Sequence, residues 1–310
     1  MSVKPFVIFI MGPTATGKTD LAVYLHEKLD CEIISVDSAM VYRGMDIGTA
    51  KPDKTLLSKV PHRLIDICDP LEAYSAAQFQ QDANHAIEDI FAHGKIPVLV
   101  GGTGLYFRAL EHGLAEMPAA NYRIRASLEA EAKEKGWASM HARLSQIDPE
   151  SAIRINQNDP QRIQRALEVY EITGKSMTEL MSEGRKQVFP FAIQKIILSP
   201  EDRGLLHERI KLRFLAMLKA GFVDEVEQLY RRGDLSLNLP SMRLVGYRQI
   251  WRYLDGQTSY EEMQEHGIVA TRQLAKRQIT WCRSENEAKW YDPQEKGVFS
   301  KILENLEKTP

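Results

Sequence analysis

The sequence has few cysteines, no long hydrophobic run and no excess of either charge. Its three cysteines, Cys31, Cys68 and Cys282, lie far apart and form no CxxC pair. This argues against a disulfide framework or a zinc module and fits a reducing compartment. The eight histidines do not add a ligand cluster. Forty basic residues against forty-two acidic ones exclude a protein that coats nucleic acid indiscriminately, although a local basic face stays compatible with them.

No stretch approaches the roughly 18 consecutive apolar residues that a membrane span needs. The short apolar run near the N-terminus leads directly into a glycine-rich loop, so it is interpreted as a buried strand and not as a signal peptide. We therefore expect a cytoplasmic protein that makes no contact with membranes.

The length of 310 residues favours two domains, and strand-like and helical segments alternate along much of it. Strong apolar or β-branched runs predict buried parallel strands at Phe6–Met11, Glu32–Val36, Ile96–Val100 and Ala192–Leu198, with a weaker one at Arg63–Ile67. Between them, Ser75 and Gln78 form a capping-box signature that begins a helix, and Gly94 ends it. This alternation predicts an α/β fold with a parallel sheet flanked by helices.

The alternation stops after Gly113. From about Tyr122 to Gly184 the sequence is helical and charged, and Asp159 and Gly174 bracket its best-defined helix, whose predicted buried stripe includes Tyr170. We therefore predict an inserted all-helical domain at 119–188 within an α/β core formed by 1–118 and 189–310. Beyond Pro200 the sequence is helical again.

Residues 12–19, GPTATGKT, match the phosphate-binding loop pattern GxxxxGK[ST]. The match follows an apolar strand and opens a helix, which is the context that the motif requires. Glycines let consecutive backbone amides turn inward, and the helix N-terminus adds its positive dipole end. Lys18 supplies a mobile charge for the same phosphate oxygens, and the Thr19 hydroxyl can ligate Mg²⁺. The fold is thus predicted to be P-loop NTPase-like.

This loop does not name the reaction, because hydrolases, kinases and transferases share it. No apolar run ends in the acid expected of a Walker-B strand, and no NKxD-like element reads guanine. Both absences argue against a motor ATPase or a GTPase switch.

Asp37 follows the second predicted strand, at the sheet edge from which the phosphate loop also emerges. Ligands of open α/β sheets bind at that edge. The carboxylate is therefore placed to take a proton from an acceptor that attacks a phosphate-bearing donor. Equally, it can cap the following helix or lie behind a metal ion, and the residues alone do not separate these roles.

Two basic, amide-rich segments suggest a nucleic-acid substrate. Residues 271–283 carry four basic residues and no acid on a predicted helix, and a second segment lies in the insertion around residues 161–165. Each segment alone is typical of a solvated helix face. Together with the insertion, they make an RNA substrate a working hypothesis.

Several blocks of the sequence together resemble the bacterial tRNA dimethylallyltransferases. In order along the chain these are GPTATGKT, DSAMVYRGMDIGTAKP, VGGTGLYFRAL, DPQRIQRALEVYEITGKS, RLVGYRQ and KRQITWCR, and the match around them extends from Val7 to about Trp290. Only the phosphate loop is generic among them, and Thr16 stands where serine is more usual.

The resemblance implies that the chain transfers a dimethylallyl group from dimethylallyl pyrophosphate to N6 of the adenosine 3′ of the anticodon, with Mg²⁺ as cofactor. It implies catalytic roles for Asp37, Thr103 and Lys18. Pyrophosphate would be held by Gly12, Pro13, Thr14, Ala15, Thr16, Gly17, Lys18 and Thr19, with Thr19 also at the metal. Arg213 is a further candidate at the pyrophosphate, with an exposed helix arginine as the alternative.

The resemblance also implies tRNA contacts along much of the chain, and the anticodon stem-loop as the bound part of the partner. The residues are Asp37, Ser38, Ala39, Met40, Thr103, Arg125, Gln161, Arg162, Ile163, Gln164, Arg165, Arg243, Leu244, Val245, Gly246, Tyr247, Arg248, Lys276, Arg277, Gln278, Ile279, Thr280, Trp281, Cys282 and Arg283. The target adenine would have to leave the anticodon stack to reach the carboxylate of Asp37.

We expect the protein to be a monomer.

Three other functions compete with this interpretation. A small-molecule kinase would use the same loop for ATP and Asp37 as the base, but no adenine-binding or lid signature is recognisable. A prenyltransferase acting on free adenine nucleotide would need neither the insertion nor the basic helices. A non-enzymatic RNA-binding protein would have no use for the intact Lys18, Thr19 and Asp37.

Overall fold

The computed structural model describes residues 5–183 and 189–308. One parallel sheet contains the strands β1 (Phe6–Met11), β2 (Cys31–Val36), β3 (His62–Arg63), β4 (Ile96–Gly101), β5 (Ala192–Leu198) and β6 (Lys289–Tyr291). Its strand order is β3-β2-β4-β1-β5-β6, and every adjacent pair is parallel. The predicted α/β fold with a parallel, P-loop NTPase-like sheet is confirmed.

Helices make up most of the rest of the described chain. They are α1 (Lys18–Lys28), α2 (Lys54–Lys59), α3 (Ala76–Ala92), α4 (Gly104–His112), α5 (Tyr122–Lys135), α6 (Trp137–Ile147), α7 (Pro149–Arg154), α8 (Pro160–Thr173), α9 (Met177–Glu183), α10 (Arg203–Lys219), α11 (Phe222–Arg231), α12 (Tyr247–Leu254), α13 (Tyr260–Cys282) and α14 (Val298–Glu307). Within the described residues, each of these helices is too short or too polar to cross a bilayer. Of these, α5–α9 belong to a separate compact unit.

The chain divides into two compact units. The first contains Met1–Leu110 and Pro190–Pro310, and the second contains Glu111–Phe189. The second unit therefore begins upstream of the predicted insertion at 119–188, whose last five residues, 184–188, lie outside the described residues. From Tyr122 to Glu183 this unit consists of the helices α5–α9 and the short loops between them, packed around an apolar core that includes Leu128, Leu144 and Leu167.

The four strong strand predictions are confirmed, two of them to the residue. Continuous apolar runs mark these strands because both faces of a central parallel strand are covered, and Val7–Met11 is fully buried. The weak prediction at Arg63–Ile67 was wrong beyond Arg63. Leu64 and Asp66 adopt positive φ angles of 63° and 57°, which an extended strand cannot contain. The three-residue strand β6 was not predicted at all.

Helix ends follow their capping residues closely. Ser75 and Gln78 form the predicted capping box of α3, Asp159 accepts from the amide of Arg162 at the start of α8, and Gly174 ends α8 in the left-handed conformation. Tyr170 departs from its prediction. It lies on the exposed side of α8, with 36% of its surface accessible, and so it is not part of the buried stripe.

Candidate active site

The phosphate loop connects β1 to α1 through three residues with positive φ angles: Gly12 (145°), Ala15 (66°) and Gly17 (84°). At Gly12 a side chain is also sterically excluded, because a Cβ atom there would lie 2.2 Å from the carbonyl oxygen of Leu198 on β5. Glycine at this position therefore lets two adjacent strand ends approach each other where the loop begins.

Inside the loop, Lys18 and Thr16 both point back to one carbonyl group. Lys18 Nζ donates to the oxygen of Pro13 at 2.5 Å, and Thr16 Oγ1 donates to the same oxygen at 3.0 Å. The Thr16 side chain is buried and thus stabilises the loop, leaving only its backbone for a ligand. The pKa of Lys18 is lowered to about 8, chiefly by burial and also by the Arg213 guanidinium, while the Asp37 carboxylate opposes both effects.

One amide of the loop already has a partner within the protein. The amide of Thr14 donates to Gln278 Oε1 at 2.9 Å, and Gln278 Nε2 donates to the carbonyl of Gly102 at 3.1 Å. Gln278 of α13 therefore ties the phosphate loop to the end of β4. The prediction that Gln278 contacts tRNA is not supported by this arrangement, since both ends of its amide are engaged inside the protein.

Asp37 directly follows β2 and faces the phosphate loop across a cavity. Its Oδ1 accepts from the amide of Ala39 at 2.8 Å, so one oxygen caps the turn that follows β2. The helix that one alternative expected Asp37 to cap does not begin there, because α2 starts only at Lys54. Oδ2 has no hydrogen-bond partner within the described residues, and the side chain lines the cavity together with Lys18 and Arg213. The carboxylate thus combines a local capping role with one oxygen that is open to a ligand.

Thr103 fixes the turn that carries Asp37. Its Oγ1 accepts from the amide of Ser38 at 3.1 Å and lies 3.4 Å from the Ser38 hydroxyl. The backbone amide of Thr103 donates to the carbonyl oxygen of Val36 at 3.3 Å. The residue begins the loop after β4, next to β2 in the sheet, which explains how residues far apart in sequence meet. Thr103 therefore positions the Asp37 turn and also lines a cavity.

The long loop after Asp37 is held by two buried or half-buried charges. Glu225 of α11 accepts from the amides of Asp46, Ile47 and Gly48 at 2.9, 2.6 and 3.1 Å, and also from the Tyr247 hydroxyl at 2.5 Å. Lys51 Nζ donates to Asp46, to Asp66 and to the carbonyl of Tyr42. These contacts order a segment that has neither helical nor strand periodicity.

Two cavities meet at the carboxyl edge of the sheet. The first, which we call the phosphate cavity because the phosphate loop lines it, has a volume of about 490 Å³, is polar and is lined by residues 14–20, Asp37 and Arg213. The second, which we call the apolar chamber, has a volume of about 330 Å³ and is lined largely by apolar side chains of α10, α11 and α13, among them Phe214, Phe222 and Leu274. Both cavities are lined by Thr14, Ala15, Asp37, Thr49, Gly102, Arg213 and Gln278. Asp37 thus lies where the phosphate cavity borders the apolar chamber.

Arg213 of α10 is not an exposed helix arginine. It lines both cavities and is half-buried, and burial lowers the pKa of its guanidinium while Asp37 and Asp20 oppose the shift. Arg209, one turn earlier on α10, lines the phosphate cavity as well. A second and a third cation therefore accompany Lys18 at this cavity.

The donor set of the phosphate cavity suits a hard divalent cation. The Thr19 hydroxyl, the Ser35 hydroxyl and the Asp37 carboxylate all line it. Within the described residues, no group of three or more histidine, cysteine, aspartate or glutamate side chains could hold a metal alone. Mg²⁺ is commonly held by one or two protein oxygens plus substrate phosphates, so the residues fit it.

The predicted tRNA contacts in the first unit fall into three groups. Cavity-lining residues are Asp37, Ser38, Ala39, Met40, Thr103, Arg243, Leu244, Val245, Tyr247 and Gln278. Exposed residues are Arg248, Lys276, Arg277, Thr280 and Arg283. Packed residues are Gly246, Tyr247, Ile279, Trp281 and Cys282.

The side chains of the packed residues are engaged inside the protein. Cys282 is 1% exposed, so its predicted side-chain contact with tRNA is not supported, whereas Tyr247, also 1% exposed, lines the apolar chamber. Gly246 abuts the Phe222 ring, Ile279 packs against the small apolar cluster of α10 and α13, and Trp281 stacks on Phe107 with 5.7 Å between ring centroids. The helical period of α13 explains this, because alternate faces of one basic helix are buried and solvated.

In the second unit, the predicted RNA-contacting arginines pair with a buried acid. Glu168 is fully buried and accepts from Arg125 through both oxygens, from Arg165 and from the amide of Asn121. Burial raises the pKa of Glu168, but these hydrogen bonds more than offset that effect and leave it below its usual value. The pairing limits how freely either guanidinium can neutralise a phosphate.

The remaining predicted residues of this unit differ in exposure. Gln161 and Arg162 are exposed, and Gln164 donates to the Arg125 carbonyl and to Glu129. Ile163 is fully buried in the core of the unit, so its predicted contact with tRNA through the side chain was wrong. Its position one turn from Leu167 on the same helix face is what buries it.

Sequence reasoning missed two features of the site. His62, at the start of β3, lines the phosphate cavity, and its Nε2 is buried without a partner among the described residues. Ile210 and Phe214, one turn apart on α10, are buried in apolar clusters and also line the apolar chamber. Helical spacing places them on one face of the helix, but only the fold reveals a cavity beside them.

Together these features define a P-loop protein in which a polar cavity lined by the loop borders an apolar chamber, with an unpaired oxygen of Asp37 between them. Residues 40–285 match the family described as IPP transferase. A tRNA dimethylallyltransferase of Alkalilimnicola ehrlichii is 59% identical over 292 residues, which cover 94% of this chain and 92% of that protein. The chain belongs to the IPP transferase family.

Solved structures agree with this assignment. The tRNA isopentenylpyrophosphate transferase of Bacillus halodurans is 37% identical, with a TM-score of 0.72 and coverage of 98% of this chain and 96% of that one. A eukaryotic dimethylallyltransferase acting on tRNA is 26% identical, with a TM-score of 0.79, and the match covers 98% of this chain and 77% of that chain.

Proposed function

We propose that the protein transfers a dimethylallyl group from dimethylallyl pyrophosphate to tRNA, at N6 of the adenosine 3′ of the anticodon. The relative that is 59% identical over nearly the whole chain is a tRNA dimethylallyltransferase, which supports the reaction class. The observation that carries the chemistry is that Asp37 and Arg213 line both the polar cavity and the apolar chamber. A prenyl pyrophosphate has one charged end and one apolar end, which match the polar cavity and the apolar chamber respectively.

In the reaction, the N6 nitrogen of adenosine forms a bond to C1 of the dimethylallyl group while the bond from C1 to the pyrophosphate oxygen breaks. The bonding pair leaves with pyrophosphate, and one N6 proton passes to the Asp37 carboxylate through its unpaired oxygen. The protein thereby supplies a base on the acceptor side and cations on the leaving-group side.

Negative charge concentrates on pyrophosphate as it departs. Lys18, Arg213 and the backbone amides of the phosphate loop stabilise that charge electrostatically, and they do so from fixed positions in a partly buried site. Thr19 would hold Mg²⁺, which would supply further charge neutralisation when bound. The apolar chamber, with Phe214, Phe222 and Met217, shields the dimethylallyl group from water.

The acceptor adenine approaches from the side of the Asp37 turn. Thr103, Arg243 and Leu244 line the chamber there, and extrusion of the base from the anticodon loop brings N6 to the carboxylate.

We also propose that the protein acts in the cytoplasm as a monomer.

Incubation with labelled dimethylallyl pyrophosphate, Mg²⁺ and unmodified tRNA tests this function. N6-(dimethylallyl)adenosine should appear in the digested tRNA, and a tRNA lacking adenosine at that position serves as the control. Absence of label from the adenosine next to the anticodon contradicts the proposal. Thermal denaturation separates the kinase alternative, since stabilisation by ATP and Mg²⁺ but not by dimethylallyl pyrophosphate would support a kinase.

A further inference from the structure

The cations of the first unit differ in whether an acid neutralises them. Arg63 pairs with Glu32, Arg231 with Glu227, and Arg232 with Asp69. On α12 and α13, by contrast, Arg248, Arg252, Lys276, Arg277 and Arg283 have no ion pair within residues 5–183 and 189–308. No acid lies between His266 and Arg283 on α13, or anywhere on α12. Uncompensated positive charge therefore collects on these two helices.

Part of this charge surrounds a hollow of about 280 Å³ between α12 and α13. Its polar lining consists of Arg248, Gln249, Arg252, Thr258, His266 and Gln273, and no acidic residue lines it. The Thr258 hydroxyl is buried there and has no hydrogen-bond partner among the described residues. Because buried polar groups are almost always satisfied, an unpaired hydroxyl beside two free guanidinium groups points to an absent ligand that accepts hydrogen bonds.

This hollow continues the surface that is predicted to contact tRNA. His266, Ala270 and Gln273 lie at spacings of four and three on α13, and the same helix face leads on to Arg277 and Thr280, both exposed. Arg248 joins it from α12. The hollow is separate from the catalytic cavities, with which it shares no lining residue.

We propose that this hollow binds a phosphodiester group of the tRNA backbone, held by Arg252, Thr258 and His266. The inference rests on the proposed function, because the phosphate belongs to the tRNA substrate. Arginine presents a planar fork of donors that matches phosphate oxygens, and a threonine hydroxyl donates to the same group. The site adds affinity and register without reading a base.

The test compares tRNA binding by the wild-type protein, Arg252→Gln and Lys28→Gln over a range of salt concentrations. Lys28 ends α1, and its loss removes one positive charge from a helix outside α12 and α13. For Arg252→Gln we expect roughly tenfold weaker binding at low salt and a log–log salt slope shallower by about 0.7–0.9, the value of one phosphate contact. Lys28→Gln should leave both unchanged, as should KM for dimethylallyl pyrophosphate in either variant.

Thr258→Val distinguishes binding from a structural role. The substitution replaces a buried, unpaired hydroxyl by a methyl group of similar size, so the free energy of unfolding should stay the same or rise. Binding of tRNA should nevertheless weaken. A variant that is less stable yet binds tRNA normally overturns the inference, because the hydroxyl would then serve the fold.

Inorganic phosphate gives an independent readout. It should compete with tRNA for the wild-type protein more effectively than for Arg252→Gln at equal ionic strength. An unchanged salt slope in Arg252→Gln, with normal tRNA binding by the wild type, overturns this inference alone. Failure of the wild type to bind tRNA overturns the proposed function and this inference with it.

Discussion

Asp37 uses its two carboxylate oxygens differently. One accepts from the amide of Ala39, while the other has no partner within the described residues and faces the cavities. A side chain held by one oxygen keeps a fixed orientation, and the free oxygen is available to a proton donor. General acid–base catalysis depends on such positioning as much as on acidity.

Replacement of Asp37 by Asn should separate these two uses. Asparagine retains an oxygen for the Ala39 amide but cannot take a proton, so turnover should fall by roughly 10²–10⁴ while tRNA binding stays nearly intact. Asp37→Ala should show the same loss with a less ordered turn. Single-turnover kinetics and filter binding measure the two effects, and near-normal turnover in Asp37→Asn would remove Asp37 from the mechanism.

Lys18 sits in a site that disfavours its charge. Burial lowers its pKa to about 8, with a further contribution from Arg213, so the side chain is charged below that pH and loses its charge as the pH rises through it. A neutral Lys18 cannot attract pyrophosphate. Bound pyrophosphate, by contrast, favours the protonated form, so binding and protonation are coupled.

We therefore expect KM for dimethylallyl pyrophosphate to rise as the pH increases past about 8. Lys18→Arg should remove this rise, since arginine stays charged throughout the range. Lys18→Met should bind dimethylallyl pyrophosphate poorly at every pH, and its KM should show no inflection near pH 8. This variant lacks the charge without introducing a larger side chain, so it separates the effect of charge from any misfit of the arginine guanidinium. The same inflection in all three proteins would assign it to another group.

At the scale of elements, Glu225 links helix α11 to the loop that follows Asp37. A single carboxylate accepts from three successive amides and from the Tyr247 hydroxyl. Gly48 in this loop also packs so closely on Phe222 that a Cβ atom would lie 2.1 Å from the ring. The loop therefore owes its conformation to contacts with α11 and α12 and not to local propensity.

Glu225→Gln should destabilise this loop and the fold. The amide NH₂ group cannot accept hydrogen bonds, so buried backbone donors lose partners at a cost of about 1–3 kcal/mol. Urea unfolding measures the loss, and faster hydrogen exchange at Asp46, Ile47 and Gly48 locates it. Glu227→Gln is the matched control on the same helix, because Glu227 pairs with the exposed Arg231 and accepts from no backbone amide among the described residues. Equal effects of the two substitutions would contradict the anchoring role.

Across the whole molecule, the near balance of acids and bases conceals a local excess of positive charge. Helix α13 changes from an acidic N-terminal turn, with Glu261 and Glu262, to a basic C-terminal half. Lys276, Arg277 and Arg283 are exposed on that half and have no ion pair among the described residues, and no acid lies beside them on the helix. The net charge of −2 therefore says little about affinity for RNA.

Arg277→Ala tests whether this half of α13 touches the RNA backbone. Affinity for tRNA should fall at low salt, and the log–log salt slope should become shallower by about 0.7–0.9, while KM for dimethylallyl pyrophosphate stays unchanged. Arg231→Ala is the control, since it removes an exposed arginine that an acid already neutralises. An unchanged slope in Arg277→Ala would mean that this side chain does not contact phosphate.

What could be predicted from the sequence was local. The strands β1, β2, β4 and β5, the phosphate loop and the caps of α3 and α8 all depend on residues within a few positions of each other, so apolar runs and capping signatures identify them. The strand β3 was mostly mispredicted because two residues with positive φ interrupt it, and β6 was missed because three residues carry too little pattern.

Only the tertiary structure decided which groups meet. Gln278 contacts the phosphate loop across 264 positions, and Glu225 reaches the loop after Asp37 across nearly 180. The buried side of α13, the apolar chamber and the pairing of Glu168 also depend on partners far away in the chain. A motif states the chemistry that a segment can perform, but burial and pairing depend on what the folded chain brings beside it.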